Sequence, residues 1–226
     1  KLLDLSKNPD TDSSEVIETI KTDPAITAKI LKASNSSLFG LRSNCKGIER
    51  AVPLLGTMVV TSLALSFSLS ESAINEGPLK VRFDSYWKQS IIQSAAAELL
   101  ASRLGNELKH DSFLVGLLQD IGHLAMLRSI PEDLVPVLEQ AETHERECAE
   151  VESEVLGVNH CEVGVKMMER WELPEPFKTA IEHHHDSCEQ LKALTTHPNF
   201  NLIISIATSS AIGDYFCSTN SGLALN

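Results

Sequence analysis

The sequence predicts an all-α protein of two helical lobes. Helix-start and helix-stop signals recur down the chain, apolar residues return at steps of three and four, and no convincing alternating run of apolar and polar residues marks a strand. With 226 residues, 42% hydrophobic and 22% charged, the chain can bury a real core. Its 11 Gly and 9 Pro are too few for a linker or low-complexity protein.

Asp12 with Glu15 three residues on resembles a capping box, and Asp23-Pro24 places a cap and an N1 proline before the apolar stretch Ala25 to Leu31. A helix is predicted near Ile48 to Leu55, stopped by Gly56, and Thr57 starts another carrying Met58 to Leu69. The uncharged run Ala51 to Ser70 is nominally long enough to span a bilayer. It contains Pro53, Gly56 and six Ser/Thr, which divide it into core helices. Asn75-Glu76-Gly77-Pro78 then breaks the pattern, so the first lobe is expected over residues 1–76 and the second over residues 77–226.

In the second lobe Phe83, Trp87, Ile91, Ala95 and Leu99 recur every four residues up to Gly105, which predicts one long amphipathic helix. Asp111 begins the next, with an apolar ridge of Leu114, Leu117, Leu118, Ile121 and Leu124. Pro131 restarts a helix, and residues 132–154 pack nine acidic residues around Arg146 alone, the pattern of a solvated face. Asn159 and Glu162 form a capping box before a helix running to Trp171. Leu173-Pro174-Glu175 opens the helix that ends in His183-His184-His185, and Leu202 to Phe216 is the last. Trp87 and Trp171, the two tryptophans, are expected to fill interhelical gaps.

Charge separates the lobes. Residues 1–80 hold nine Lys/Arg and nine Asp/Glu, so the net charge of −12 sits wholly in the second part, together with all eight His. An acidic body repels phosphate backbones, which makes nucleic acid a poor partner. Five Cys at 45, 148, 161, 188 and 217, an odd number without a C-x-x-C pair, read as reduced thiols in a cytoplasmic compartment, and no signal peptide opens the chain. No two Gly lie two, four or five residues apart, which excludes G-x-G-x-x-G, G-x-S-x-G and the Walker pattern.

The sharpest chemical feature is His183-His184-His185, flanked by Glu182 and Asp186. Successive helix residues point about 100° apart, so three adjacent His cannot serve one ion from one helix turn, and histidines at a helix C-terminus suit its dipole without any metal. Cys188 nearby does not complete a structural zinc site. His123 lies three residues after Asp120, which reads most simply as a surface His beside an acid, and His110, His144 and His197 carry no motif.

The order of several segments resembles the HDOD family, the HD-related output domain of bacterial signalling proteins. Those segments are residues 23–31 with Asn35-Ser36, residues 47–56, Trp87-Lys88-Gln89-Ser90, residues 116–122, residues 156–164, Trp171-Glu172-Leu173-Pro174 and His183-His184. The likeness runs from about Ser6 to Phe216 and lacks the family's usual opening, as expected of a domain excised from a longer chain. It implies an N-terminal helical lobe followed by a degenerate HD-type bundle. In the HD phosphohydrolases, His and Asp on several helices hold divalent metals. Carried over, those positions fall on Gln89, on Gln119-Asp120, on His160, on one of His183 or His184, and near Thr208.

Gln89 and Gln119 offer neutral amides where imidazoles would bind, and Thr208 cannot supply an anionic oxygen. The resemblance therefore implies a non-catalytic, regulatory module with no cofactor. Asp120, His160 and His184 are the only good ligands left should a metal bind. The alternative is a metal-dependent phosphohydrolase acting on a nucleotide or cyclic dinucleotide. In the first lobe Lys29, Lys32, Arg42, Lys46 and Arg50, with Asn35 and Ser36, could meet an anionic ligand or partner, although snorkelling surface side chains explain the same residues. The expected partners are proteins or other modules of the same signalling chain, with neither nucleic acid nor membrane.

Overall fold

The computed structural model describes residues 12–34, 47–70, 78–104, 108–171 and 173–217, and every regular element among them is helical. The chain divides into two compact units, Lys1–Ala73 and Ile74–Asn226. The expected lobe boundary at Gly77-Pro78 falls at the edge of a segment, residues 71–77, outside the described residues.

In the first unit α1 (Ser13–Lys21) is capped by Asp12, whose side chain accepts from the Ser14 N–H at 3.0 Å. The expected box is not formed in full, since the Asp12 side chain takes the Ser14 N–H and the Glu15 N–H goes to the Asp12 carbonyl at 2.9 Å instead. Asp23 caps α2 (Pro24–Ser34) by accepting from the Ile26 N–H at 3.1 Å. Between α3 (Ile48–Leu55) and α4 (Thr57–Ser70) the chain turns at Gly56, whose φ of 86° lies in the left-handed region that L side chains rarely adopt. Val16, Ile20, Ile30, Ile48, Val52 and Val60 close the core between these four helices.

The second unit is organised around α5 (Pro78–Leu104), a 27-residue helix packed against α6 (Lys109–Leu118), α7 (Ile121–Ser129) and α13 (Phe200–Cys217). Its buried face differs from the predicted ridge. Ile91 and Leu99 are exposed, whereas Tyr86, Ser90, Gln93, Ser94, Ala97 and Ala101 face the bundle. This seam of small and polar residues lets neighbouring helices approach closely, and an apolar periodicity does not register it. Trp87 is correspondingly only half-buried, edge-on to Tyr86, while Trp171 is buried as expected.

The helix predicted from Asp111 through Leu124 is two helices, broken at Gln119-Asp120, where Asp120 leaves helical geometry with φ −97° and ψ 19°. α8 (Pro131–His144) and α9 (Cys148–Leu156) follow. Met126, Leu127, Leu134 and Leu138 pack with Leu79, Phe83 and Val163 and fasten α7 and α8 to α5 and α10 (His160–Arg170). The capping box of Asn159 and Glu162 starts α10 as expected. After α11 (Glu175–Glu182) a short helix that the sequence reading passed over, α12 (Cys188–Ala193), is opened by the capping box of Ser187 and Gln190. α13 is long and apolar enough to cross a membrane by length and composition alone. Here it packs on α5, α6 and α11 and buries Leu202, Ile203 and Ile206, as a core helix of the bundle does.

Candidate functional site

The buried polar residues of the second unit converge where α7 crosses α10. A Cβ added to Gly122 would lie 1.9 Å from the His160 carbonyl oxygen and 2.6 Å from the Gly164 nitrogen. Only a residue without a side chain allows the two backbones this contact. The crossing sets Asp120, at the break before α7, against His160, the first residue of α10. His184 arrives from the turn after α11. The helix stops at Glu182, so residues 183–185 are not helical and the 100° argument does not apply to them. His184 and His185 both turn toward Asp120 and His160, and one donor or acceptor atom from each of the four lies within 4.8 Å of the others.

Each Asp120 oxygen has a distinct task. Gln93 Nε2 donates to Oδ2 at 2.8 Å, leaving Oδ1 to face His184 Nε2 at 3.1 Å and His160 Nε2 at 3.6 Å. Hydrogen bonds on the far sides of both rings fix them. His184 Nδ1 lies 2.6 Å from the Ile181 carbonyl, which can only accept, so Nδ1 carries a proton. His160 Nδ1 donates to Glu152 Oε2 at 2.6 Å, and the same oxygen accepts the His160 backbone N–H at 2.8 Å. His160 Nε2 is buried and has no hydrogen-bond partner among the described residues. Two imidazole Nε2 atoms thus face one carboxylate oxygen.

The electrostatics follow from this crowding. Burial alone would raise the pKa of Asp120, but the bond and charge of His184, with the charge of His160, hold it well below the usual carboxylate range. Burial disfavours charged His184, yet Cys161 and Asp120 more than offset it and push it up to about 10. His160 is likewise raised by Cys161 and Glu152 against its burial. Burial and the neighbouring His184 and His160 push His185 well below its ordinary value, so it is neutral. Against its burial, the two charged imidazoles bring the Cys161 thiol down to about 6.

Several expectations need correction. Gln89 does not reach Asp120; it donates to Asp214 Oδ1 at 2.8 Å, and Gln93, one turn further along α5, takes the place beside Asp120. Gln119 is fully buried next to the group, and its Oε1 lies 3.4 Å from the Ser209 hydroxyl. Thr208 is rotated away by one residue on α13, so Ser209 is the side chain that meets Gln119. His183 bonds Asp186 at 2.8 Å and takes no part. Glu152, read as part of a solvated acidic face, is fully buried on the inner side of α9. His123, read as a surface residue, stacks on the His160 ring with centroids 5.0 Å apart, and its Nε2 lies 3.7 Å from Glu152 Oε1. The signal for Glu152 was its distance of eight residues from His160, across a helix end that turns the chain back.

Of the basic residues in the first unit, Lys29 lies over the Phe67 ring at 5.9 Å and Arg50 is exposed. Asn35, Ser36, Arg42 and Lys46 and the side chain of Lys32 lie outside the described residues. Among the described residues Cys148, Cys161, Cys188 and Cys217 are free thiols.

A groove of about 380 Å³ opens beside the group, lined by Cys161 and His185 on the inner side and by Glu150, Glu162, Glu182 and Asp186 around its mouth, with Lys166 among them.

Solved structures share this architecture. An HDOD domain protein of unknown function from Geobacter sulfurreducens superposes with a TM-score of 0.66 at 21% identity, covering 93% of this chain and 69% of its own. A protein from Shewanella amazonensis, whose assignment as a phosphohydrolase is itself an inference, gives 0.67 at 23% identity, with 99% and 79% covered. One from Marinobacter aquaeolei, assigned by inference to signal transduction, gives 0.64 at 23%, with 100% and 48% covered. At these identities the likeness concerns the fold. An uncharacterized protein of Treponema pallidum is 28% identical over 190 residues, which is 82% of this chain and 36% of the relative, so the chain spans little more than a third of that protein. The HDOD domain model itself matches residues 1–187, from the first helices through the histidines that close on Asp120, and the chain therefore belongs to the HDOD family.

Proposed function

We propose that the chain is a non-catalytic regulatory module of a bacterial cytoplasmic signalling protein, which acts by binding a protein partner or another module of its own chain. The observation that carries this reading is the occupation of the HD-type site by its own side chains. Gln93 takes one oxygen of Asp120, Gln119 fills the space between Asp120 and α13, and both glutamines are fully buried. A phosphohydrolase needs water and an ester phosphate at that point, usually between two metal ions. The groove beside the group has four carboxylates at its mouth against Lys166, which disfavours a nucleotide or a nucleic acid as its occupant. Binding surfaces are available elsewhere, since Val81, Ile91 and Leu99 expose large apolar side chains on one side of α5.

The second reading, a metal-dependent phosphohydrolase, draws on the donor set of Asp120, His160 and His184. The test is hydrolysis of cyclic dinucleotides and of p-nitrophenyl phosphate esters by the purified chain with Mn²⁺, Fe²⁺ or Ni²⁺. No turnover above the metal-only blank is expected. Turnover that disappears in Asp120→Asn would overturn the regulatory reading.

A further inference from the structure

The groove beside the buried histidines lies where α9 and the start of α10 meet the turn after α11, and its volume of about 380 Å³ has room for one long side chain. Ala149 and Val165 give it apolar surface, and Cys161 and His185 close its inner side. Four carboxylates ring the mouth, those of Glu150, Glu162, Glu182 and Asp186. Two of them have a local reason to be there. Glu150 and Glu162 stand in the first turns of α9 and α10, where an acid suits the helix N-terminus. Glu182 has the opposite setting. It is the last residue of α11, at the negative end of the helix dipole, and no hydrogen bond or ion pair engages its exposed side chain among the described residues. An acid placed against its own helix sets this groove apart from an ordinary solvated face.

The other carboxylates keep acceptor oxygens open as well. Glu162 commits Oε2 to the Asn159 N–H at 3.0 Å and Asp186 commits Oδ2 to His183 Nδ1 at 2.8 Å, so each has a second oxygen to offer. Arg146 stays 3.6 Å from Glu150, beyond hydrogen-bond reach, because two of its nitrogens are taken by Glu154 at 2.7 and 2.8 Å. Lys166 is drawn away to Glu169 at 2.8 Å, about one turn further along α10. Partial burial, with Glu150 close by, raises the pKa of Glu147, whose carboxylate lies 3.7 Å from His185 at the edge of the groove. A cation at the mouth relieves this crowding of like charges.

We propose that this groove is the docking site for an arginine side chain of a protein partner. Charge complementarity selects the class of occupant, since the rim that turns a nucleotide away attracts a basic segment of protein. Arginine suits it better than lysine. A guanidinium carries five donors in a planar fork, enough for several carboxylates at once, and is more weakly hydrated than an ammonium, so it gives up less water on entering. Its aliphatic stem packs along Ala149 and Val165. This deepens the regulatory reading and rests on it, by naming the chemistry of the partner. The two fail separately, because metal-dependent turnover overturns that reading, whereas loss of this contact overturns only the choice of groove and partner.

The experiment titrates the peptide acetyl-Gly-Arg-Gly-amide into the chain and follows backbone amides and ¹³C-labelled side-chain carboxyls by NMR. Saturable shifts are expected at Glu150, Val165 and Glu182. The lysine peptide should bind about threefold more weakly, and the peptide with citrulline, a neutral isostere of arginine, should not bind measurably. Glu150→Gln combined with Glu182→Gln should weaken the arginine peptide about tenfold. Lys166→Gln should tighten it, and Glu139→Gln, on the exposed side of α8, should leave it unchanged. These four positions are all exposed, so the variants are expected to fold, and their amide spectra check that they do. Absence of saturable binding, lysine or citrulline peptides as tight as the arginine peptide, or a double variant as tight as the unaltered chain would each overturn the proposal. Spermidine binding as tightly as the arginine peptide would also overturn it, in favour of a site for small polyamines.

Discussion

Two carboxylates packed against the same face of α5, one helical turn apart, make the same hydrogen bond and behave oppositely. Asp120 accepts from Gln93 Nε2 and Asp214 from Gln89 Nε2, each at 2.8 Å, and the two glutamines are one helical turn apart. Asp120 is held well below the ordinary carboxylate range, whereas burial, with the charges of Asp120 and Glu147, pushes Asp214 up to about 7. The amide bond cannot be what separates them. Asp120 has two imidazoles at 3.1 and 3.6 Å, and Asp214 has no cation so close among its contacts in the described residues. A neutral donor satisfies a buried carboxylate, but only a neighbouring positive charge keeps it ionised.

The strongest way to break the contrast is to part Asp120 from His160. Gly122→Ala places a Cβ against the backbone of α10, and a loss of about 3 kcal/mol is expected in urea unfolding. Any folded population should show Asp120 titrating at higher pH, nearer to the behaviour of Asp214. Gln93→Leu comes next. It leaves Asp120 Oδ2 without its donor and should cost about 2 kcal/mol. Asp120 should nevertheless stay ionised, since its imidazoles remain; if it became protonated near neutral pH, the amide rather than the imidazoles would be decisive.

The smallest effect concerns Asp214 and depends on pH. Its folded pKa of about 7 lies above that of an unfolded aspartate, so the folded chain holds the extra proton between the two values. The stabilisation is complete at low pH and is lost as pH rises through about 7. Asp214→Asn should therefore raise Tm most at about pH 8, less at about pH 5, and little below about pH 4, where the side chain is neutral in both the folded and the unfolded chain. A gain confined to the lower pH would refute the shift.

Most of the fold was legible because helix ends carry chemical signatures. Asp23-Pro24, Gly56, Pro131 and the Asn159/Glu162 box each mark a boundary through backbone groups that need a partner or a conformation. The site was legible only in part. Asp120, His160 and His184 followed from the resemblance, but the choice of Gln89 over Gln93 turned on height along α5, one turn apart on the same face, and that of Thr208 over Ser209 on helix phase, since one step along a helix rotates a side chain by about 100°. The break at Gln119-Asp120 had no glycine or proline to announce it. Glu152 was hidden by its acidic neighbours: Glu150 and Glu154 pair with Arg146 at the surface, and nothing in the run distinguishes the residue that faces inward. His185 was set aside on a helical premise that the turn after Glu182 removes.

The most direct test of the ionised Asp120 is a ¹³C titration of the aspartate side-chain carboxyls in the metal-free chain, assigned with Asp120→Asn and Asp214→Asn. The account predicts one resonance moving near pH 7 that vanishes in Asp214→Asn, and another, lost in Asp120→Asn, that stays in its ionised position throughout the folded range. An Asp120 carboxyl that titrates near neutrality, or an Asp214 carboxyl that is ionised well below it, would contradict the claim that the imidazoles of His160 and His184 set the charge of the buried site.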